Sequence, residues 1–416
     1  MIALVVVAAS GCTGINPLYT GPAEETNATG TDSDTSDATT GGDTDPPTTS
    51  DGTDEPTTSD GTTASSASTN DDTGTSDSES SSTTEPDGWN GWQRRRVITL
   101  KNFLDPSSPD NLPIALLLAP DDIDYGNVES DGGDLRFYDD LPDDSPGIPY
   151  EIQTWDPDAY TVIWLAMPSL GAGESRDIYM YYDNPDPGPE PSSPWGDYNH
   201  VLHFEGDFDD ARADASSLVE QGMVTFQPGA ITQAIASAGD LPFVRLEGLG
   251  GGSQGGYISL MIRANSPAAV QDILYLTGDG GEYAKLILSS SKLSFRMSSE
   301  APLGYAQAQH PVPLNADVWT HVALSWEDVA DKPALTLMVN GMAAVSGMDK
   351  LKEFQFNDDQ VLMASGTGDE YIYNFSGAID ELRFDGGPKD PEFAAFEAAA
   401  NFPDFFVEGI GVEEQY

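Results

Sequence analysis

DVWTHVALSW (residues 317–326), LTLMVNGMAAV (335–345) and FSGAIDELRF (375–384) decide the fold, because each carries the two-residue period of a strand with one buried face. In the first, Val322, Leu324 and Trp326 fall on one side and His321, Ala323 and Ser325 on the other. The second places Asn340-Gly341 between apolar residues, a strong hairpin signal because both residues tolerate positive φ. In the third, strict alternation puts Asp380 on one face with Leu382 and Phe384, and Ile379, Glu381 and Arg383 on the other. A carboxylate on an apolar face needs a hydrogen-bonding partner or a metal. The three segments predict a β-sandwich with Asp380 as its chemically unusual residue.

Working outward, the composition narrows the function classes. The 416 residues include 17 Lys and Arg against 70 Asp and Glu, a formal net charge of −53. Such a surface excludes nucleic-acid binding, which requires clustered cations, and suits solubility and cation binding. Cys12 is the only cysteine, so an intrachain disulfide and a multi-thiolate zinc site are both excluded. The four histidines, His200, His203, His310 and His321, show no metal-ligand spacing on one element. No G-x-S-x-G nucleophile elbow occurs, and the glycines of residues 248–256 lack the Lys-Ser or Lys-Thr of a phosphate loop.

Residues 1–10 form a short apolar run followed by Gly11-Cys12. Ala9-Ser10-Gly11-Cys12 resembles the lipobox of bacterial lipoproteins, which implies cleavage before Cys12, acylation of its thiol and a lipid-anchored protein of the outer membrane or cell surface. The run departs from a full signal segment in having no preceding Lys or Arg, and it is too short to span a bilayer. Residues 13–88 are dominated by Thr, Ser, Asp and Gly, with no Lys or Arg. They carry too little apolar area to offset chain entropy, so a disordered acidic linker is expected.

Order is expected from Trp89. WQRRRVITL, LPIALLLAP, DLRFYDD, IPYEIQTW, VIWLAMPSLGAGES and IYMYYDNPDP read as about six short strands with close turns, a small all-β domain over 89–187. Together they resemble a bacterial domain of unknown function (number 2341), whose members often precede LamG-like modules. PDPGPEPSSP (185–194) reads as a stiff connector. Over 195–408, HVLHFEG, DILYL, VWTHVALSWE, LTLMVNG and FSGAIDELRF follow in the order of the LamG-like, concanavalin A-like jelly-roll superfamily and resemble it. DPEFAAFEAAANF closes this module as a short helix, with Asp390 as N-cap and Pro391 at the first helical position.

The resemblance implies a calcium beside the sandwich, with Asp380 as a ligand. Asp207, Asp209, Asp210 and Asp214 of HFEGDFDDARAD are the natural second source of hard oxygens if the first and last strands are neighbours. The other reading of Asp380 is an acceptor of backbone N–H bonds or a partner of an Arg. Glu205-Gly206-Asp207-Phe208-Asp209 is similar to the E-x-D-x-E signature of laminarinase-type enzymes, in which carboxylates at i, i+2 and i+4 share a strand face. Asp209 stands where that signature has Glu. The expected function is non-catalytic binding of a glycan or of an extracellular or envelope protein through the LamG-like module; a glycan hydrolase using Glu205 and Asp209 and a purely structural envelope component are the alternatives.

Overall fold

The computed structural model describes residues 89–416 apart from 143–144, 197, 213–218, 222–224, 238–242, 248–254, 278–282, 300–303, 330–331, 347–358 and 363–374. Cys12, the linker 13–88 and Asp214 lie outside the described residues. The described residues all belong to one compact unit.

The larger part is a sandwich of an eight-stranded and a seven-stranded antiparallel sheet. The segments 317–326, 335–345 and 375–384 contribute their strands to the eight-stranded sheet. Gly255–Ala264 runs between Trp319–Val329 and Gly377–Asp385, and Lys332–Val339 extends the sheet to Met342–Ser346. Asn340 (φ 47°) and Gly341 (φ 75°) form the tight turn between the last two, as their residue types require. Val322, Leu324 and Trp326 enter the core with Ile258, Leu260, Leu286, Phe295 and Met297, and Ala323 faces outward.

One strand departs from strict alternation. Ser259 pairs with Arg383 but Met261 pairs with Asp380, so Glu381 and Leu382 together oppose Leu260 in a β-bulge. Glu381 takes a left-handed φ of 49°. The extra residue resets the period: Ile379, Leu382 and Phe384 all face the core, whereas Asp380, Glu381 and Arg383 face away from it. The expectation that Asp380 shares a face with Leu382 and Phe384 is therefore corrected.

The smaller part packs a three-stranded sheet, Leu112–Leu118, Thr161–Met167 and Tyr150–Thr154, against a five-stranded one. At the centre of the latter, Arg94–Lys101 pairs with Ser175–Tyr182 on one edge. Its other edge is completed by the end of the chain: Val407–Ile410 and Glu414–Gln415 pair antiparallel with it. The expected end of the second module at 408 thus falls inside a strand that belongs to the first module's sheet. Arg94 pairs with Glu413 and with Asp183 at 3.2 Å, Arg95 with Glu414 at 2.6 Å and Lys101 with Glu408 at 2.6 Å. The first basic residues of the chain are thereby engaged in holding its acidic end.

The helix Pro391–Ala400 joins the two parts. Asp390 accepts from the Phe393 N–H as its N-cap, with Pro391 in the first turn. Ala394 packs on Tyr257, Ala323 and Met338 of the eight-stranded sheet, while Phe396, Ala399 and Ala400 enter the core of the first module. Gly341 of the hairpin lies close beneath it, since a Cβ there would come within 2.8 Å of Ala395.

Candidate functional site

The residues nominated from sequence separate into two groups. Asp380 is fully buried, and its carboxylate accepts from the backbone N–H groups of Glu381 (2.9 Å), Ala230 (2.7 Å) and Ile231 (3.4 Å). Burial and the neighbouring Glu381 charge push its pKa well up. Asp207, Asp209 and Asp210 are in the loop after the short strand His200–Leu202. Asp207 accepts from the Asp209 N–H and both are exposed, while Asp210 accepts from Val201 and Arg212 N–H and lies 2.8 Å from His200 Nδ1. Asp380, Asp207 and Asp210 each have their own partners, and among the described residues no group of three or more His, Cys, Asp or Glu is arranged to hold a metal.

The Glu205–Asp209 segment is a turn, with Phe204 at φ 60° and Gly206 at φ 91°. Its acidic residues do not share a strand face, because the strand has already ended at Leu202. Glu205 accepts from the Thr232 hydroxyl, from Gln233 N–H at 3.2 Å and from Gln153 Nε2 of the first module at 2.7 Å. Burial pushes its pKa up to about 7.

Between the two parts lies a buried charge cluster. Arg383 donates to Glu381 (3.0 Å), Glu397 (3.3 Å) and Asn401 (2.7 Å), and its guanidinium packs over the rings of Trp164 and Trp195, at 4.7 and 4.9 Å from their centroids. His203 Nδ1 lies 2.9 Å from Glu381, its ring stacks on Trp164, and its Nε2 is 3.5 Å from Glu151 of the first module. Burial alone would lower the His203 pKa; the Glu381 charge and the Glu151 contact outweigh it and raise the group to about 10. Glu397 of the helix accepts from Tyr198 (2.6 Å), Ser259 (2.9 Å) and Tyr257, and lies 3.2 Å from His321 Nε2. Burial would raise it, yet His321, Arg383 and Tyr198 hold it down at about 2. Glu381 and Glu397 thus balance Arg383 and His203 inside the protein, and each of these two carboxylates has several donors. The cluster fixes one part of the molecule against the other.

Sequence reasoning missed Glu397. The available signal was its setting: in EFAAFEAAA the helix is apolar or small on all sides, the pattern of a helix covered all round, so a Glu inside it must be buried and paired.

The other candidate is an outward sheet face. Along Tyr283–Ser289 burial alternates, with Ala284, Leu286 and Leu288 in the core and Tyr283, Lys285 and Ile287 outside. Register places Tyr275, Lys285, Arg296 and Gln307 in one row across four neighbouring strands. Tyr275 and Tyr283 stack with centroids 5.9 Å apart and planes at 24°, and the Lys285 ammonium lies 4.5 Å from the first ring and 5.4 Å from the second. Asp272 orients Lys285 at 3.3 Å; burial raises the Asp272 pKa despite that cation. Aromatic faces, two cations and an exposed amide are therefore combined on one sheet face of an otherwise acidic chain. That row was open to sequence reading, since it alternates with the apolar residues of YAKLILSS and LSFRMSS.

Residues 131–218 match the family model of a domain of unknown function (DUF2341). Residues 258–391 match that of the concanavalin A-like lectin/glucanases superfamily. No curated protein matches the chain. Similar solved structures include domain 4 of AbnA, a GH43 extracellular arabinanase from Geobacillus stearothermophilus, in complex with arabinotriose (19% identity, 48% of this chain and 98% of that one, TM-score 0.40). The binding domain of Paraclostridial Mosquitocidal Protein 1 is another (13% identity, 49% and 52%, TM-score 0.41). Likenesses this distant carry no function. Residues 131–218 thus form a DUF2341 match that is followed, at residues 258–391 within the larger sandwich, by a concanavalin A-like, LamG-like jelly-roll domain.

Proposed function

We propose that the protein binds a glycan without cleaving it, using the outward face of the seven-stranded sheet, and is displayed from a bacterial envelope by a lipid on Cys12 and the linker 13–88. The stacked Tyr275–Tyr283 pair with Lys285 across it carries the reading. Flat aromatic faces suit the C–H faces of a sugar ring, and the adjoining Lys285, Arg296 and Gln307 suit its hydroxyl or carboxylate oxygens. The match of residues 258–391 to a superfamily of lectins and glucanases supports the same class of ligand. The absence of a shared strand face for Glu205 and Asp209 supports binding over hydrolysis. Among the described residues no helix is long and apolar enough to cross a membrane.

Retention of the full chain on a glycan array, beside a Tyr283→Ala variant, tests this reading. The native chain is expected to hold at least one glycan, the variant to bind it about tenfold more weakly, and the glycan to be recovered uncut. Equal retention by the variant, or shortened glycan, contradicts the proposal; capture of an envelope protein with no glycan retained transfers the function to protein recognition.

A further inference from the structure

The first module carries a groove of about 830 Å³ that the sheet-face reading does not use. Its depth is aromatic: Trp92 and Tyr138 are 2% and 6% exposed, and Trp89 and Tyr416 stand at its mouth with ring centroids 5.5 Å apart. Its rim is polar, with exposed Asn90, Gln93 and Asp186. No Lys or Arg is among the described residues that line it.

The groove's walls are held in place. Arg136, 1% exposed, donates to the carbonyls of Gly188 and Pro189, each at 3.2 Å, and Asp134 accepts from the Asp183 N–H at 2.9 Å. The Asn184 side chain accepts from the Asp186 N–H at 3.1 Å. On the opposite side the Arg95 guanidinium covers one face of Trp89 at 4.7 Å and is itself paired with Glu414. The stretch that reads in sequence as a stiff connector is thus also anchored by a buried guanidinium, so the cleft is preorganised.

We propose that this groove binds a neutral oligosaccharide. Its volume lies within the range of about 300–1,000 Å³ found for ligand pockets. Aromatic rings beside amide and carboxylate groups supply the two contacts a sugar makes, ring stacking and paired hydrogen bonds to hydroxyls. An anionic ligand meets no Lys or Arg among the described lining residues, the nearby Arg95 is already paired with Glu414, and Asp186 opposes such a ligand. An extended peptide needs main-chain partners, but Pro187 and Pro189 have no N–H and the carbonyls of Gly188 and Pro189 are already taken by Arg136.

The test follows the indole N–H resonances of Trp89 and Trp92 in the full chain, assigned with Trp89→Phe, during titration with cellotetraose, laminaritetraose, xylotetraose, mannotetraose and maltotetraose. At least one sugar is expected to shift them saturably, and Asp186→Ala, a change at an exposed residue, to weaken that binding about tenfold while Tyr283→Ala leaves it unchanged. The proposal is overturned if none of the five moves either resonance, if Asp186→Ala has no effect, or if only a Pro-rich peptide shifts them. Because Tyr283 is on the other module, failure here and failure of the sheet-face reading are separately visible.

Discussion

Glu381 adopts a left-handed backbone that costs a non-glycine residue about 1–2 kcal/mol, and its buried carboxylate is paired with His203 and Arg383. The bulge at that residue leaves three polar side chains, Asp380, Glu381 and Arg383, on the side of the strand that faces away from the apolar core. At Asp380 the consequence is structural. Replacing it with Ala leaves three N–H groups without an acceptor and is expected to cost about 1–3 kcal/mol. Melting with chelator and with millimolar calcium should show the same loss; a calcium-dependent rise in midpoint that Asp380→Ala abolishes would instead establish Asp380 as a ligand. The cluster also sets a pH dependence. Glu397, held at about 2 against an ordinary 4.5, contributes stability that is present above about pH 4.5 and lost as pH falls toward 2. His203, raised from 6.5 to about 10, contributes stability that is full below pH 6.5 and lost as pH rises toward 10. Glu205, raised from 4.5 to about 7, adds a loss of the same sign between those values. Midpoints measured across pH should fall on both sides of a maximum near pH 5–6, and His203→Gln should flatten the alkaline side; an alkaline limb of unchanged depth in the variant would contradict this assignment.

At the scale of elements, alternation and turn chemistry made most strands legible. Val322, Leu324 and Trp326 face the core as their spacing requires, Asn340-Gly341 forms its turn, and Asp390-Pro391 starts the helix. Two things were not legible for physical reasons. A period-two count assumes no inserted residue, so it cannot see the bulge at Glu381, and the error propagates to every face assignment on one side of it. VEGIGVEEQY, in turn, is short, charged and interrupted by glycine, and it becomes strand only because Arg94–Lys101 offers an open edge. The Arg94–Glu413 pair spans 319 residues, a separation that local pattern does not encode. Ending the chain after Phe406 removes both strands, uncovers that edge and leaves Arg94 and Arg95 without Glu413 and Glu414. The expected result is a loss of about 3–5 kcal/mol and increased self-association. Retention of full stability by the shortened chain would show that the terminal strands are peripheral.

At the scale of the whole molecule, two sequence modules form one folded body. The chain leaves the first module at residues 185–194, builds the jelly roll, crosses back by the helix and finishes the first module's sheet. Trp164, Trp195, Tyr198, Val201 and Ile231 form an apolar cluster beside the charges, so the junction combines packing with a specific register. Such a body can present the sheet face and the aromatic groove in a fixed relation, which two modules on a flexible connector cannot. Differential scanning calorimetry of the full chain tests this unity most directly. One transition is predicted, with equal calorimetric and van't Hoff enthalpies, shifted as a whole by Glu397→Ala. Two separable transitions, with only one of them moved by that substitution, would contradict it.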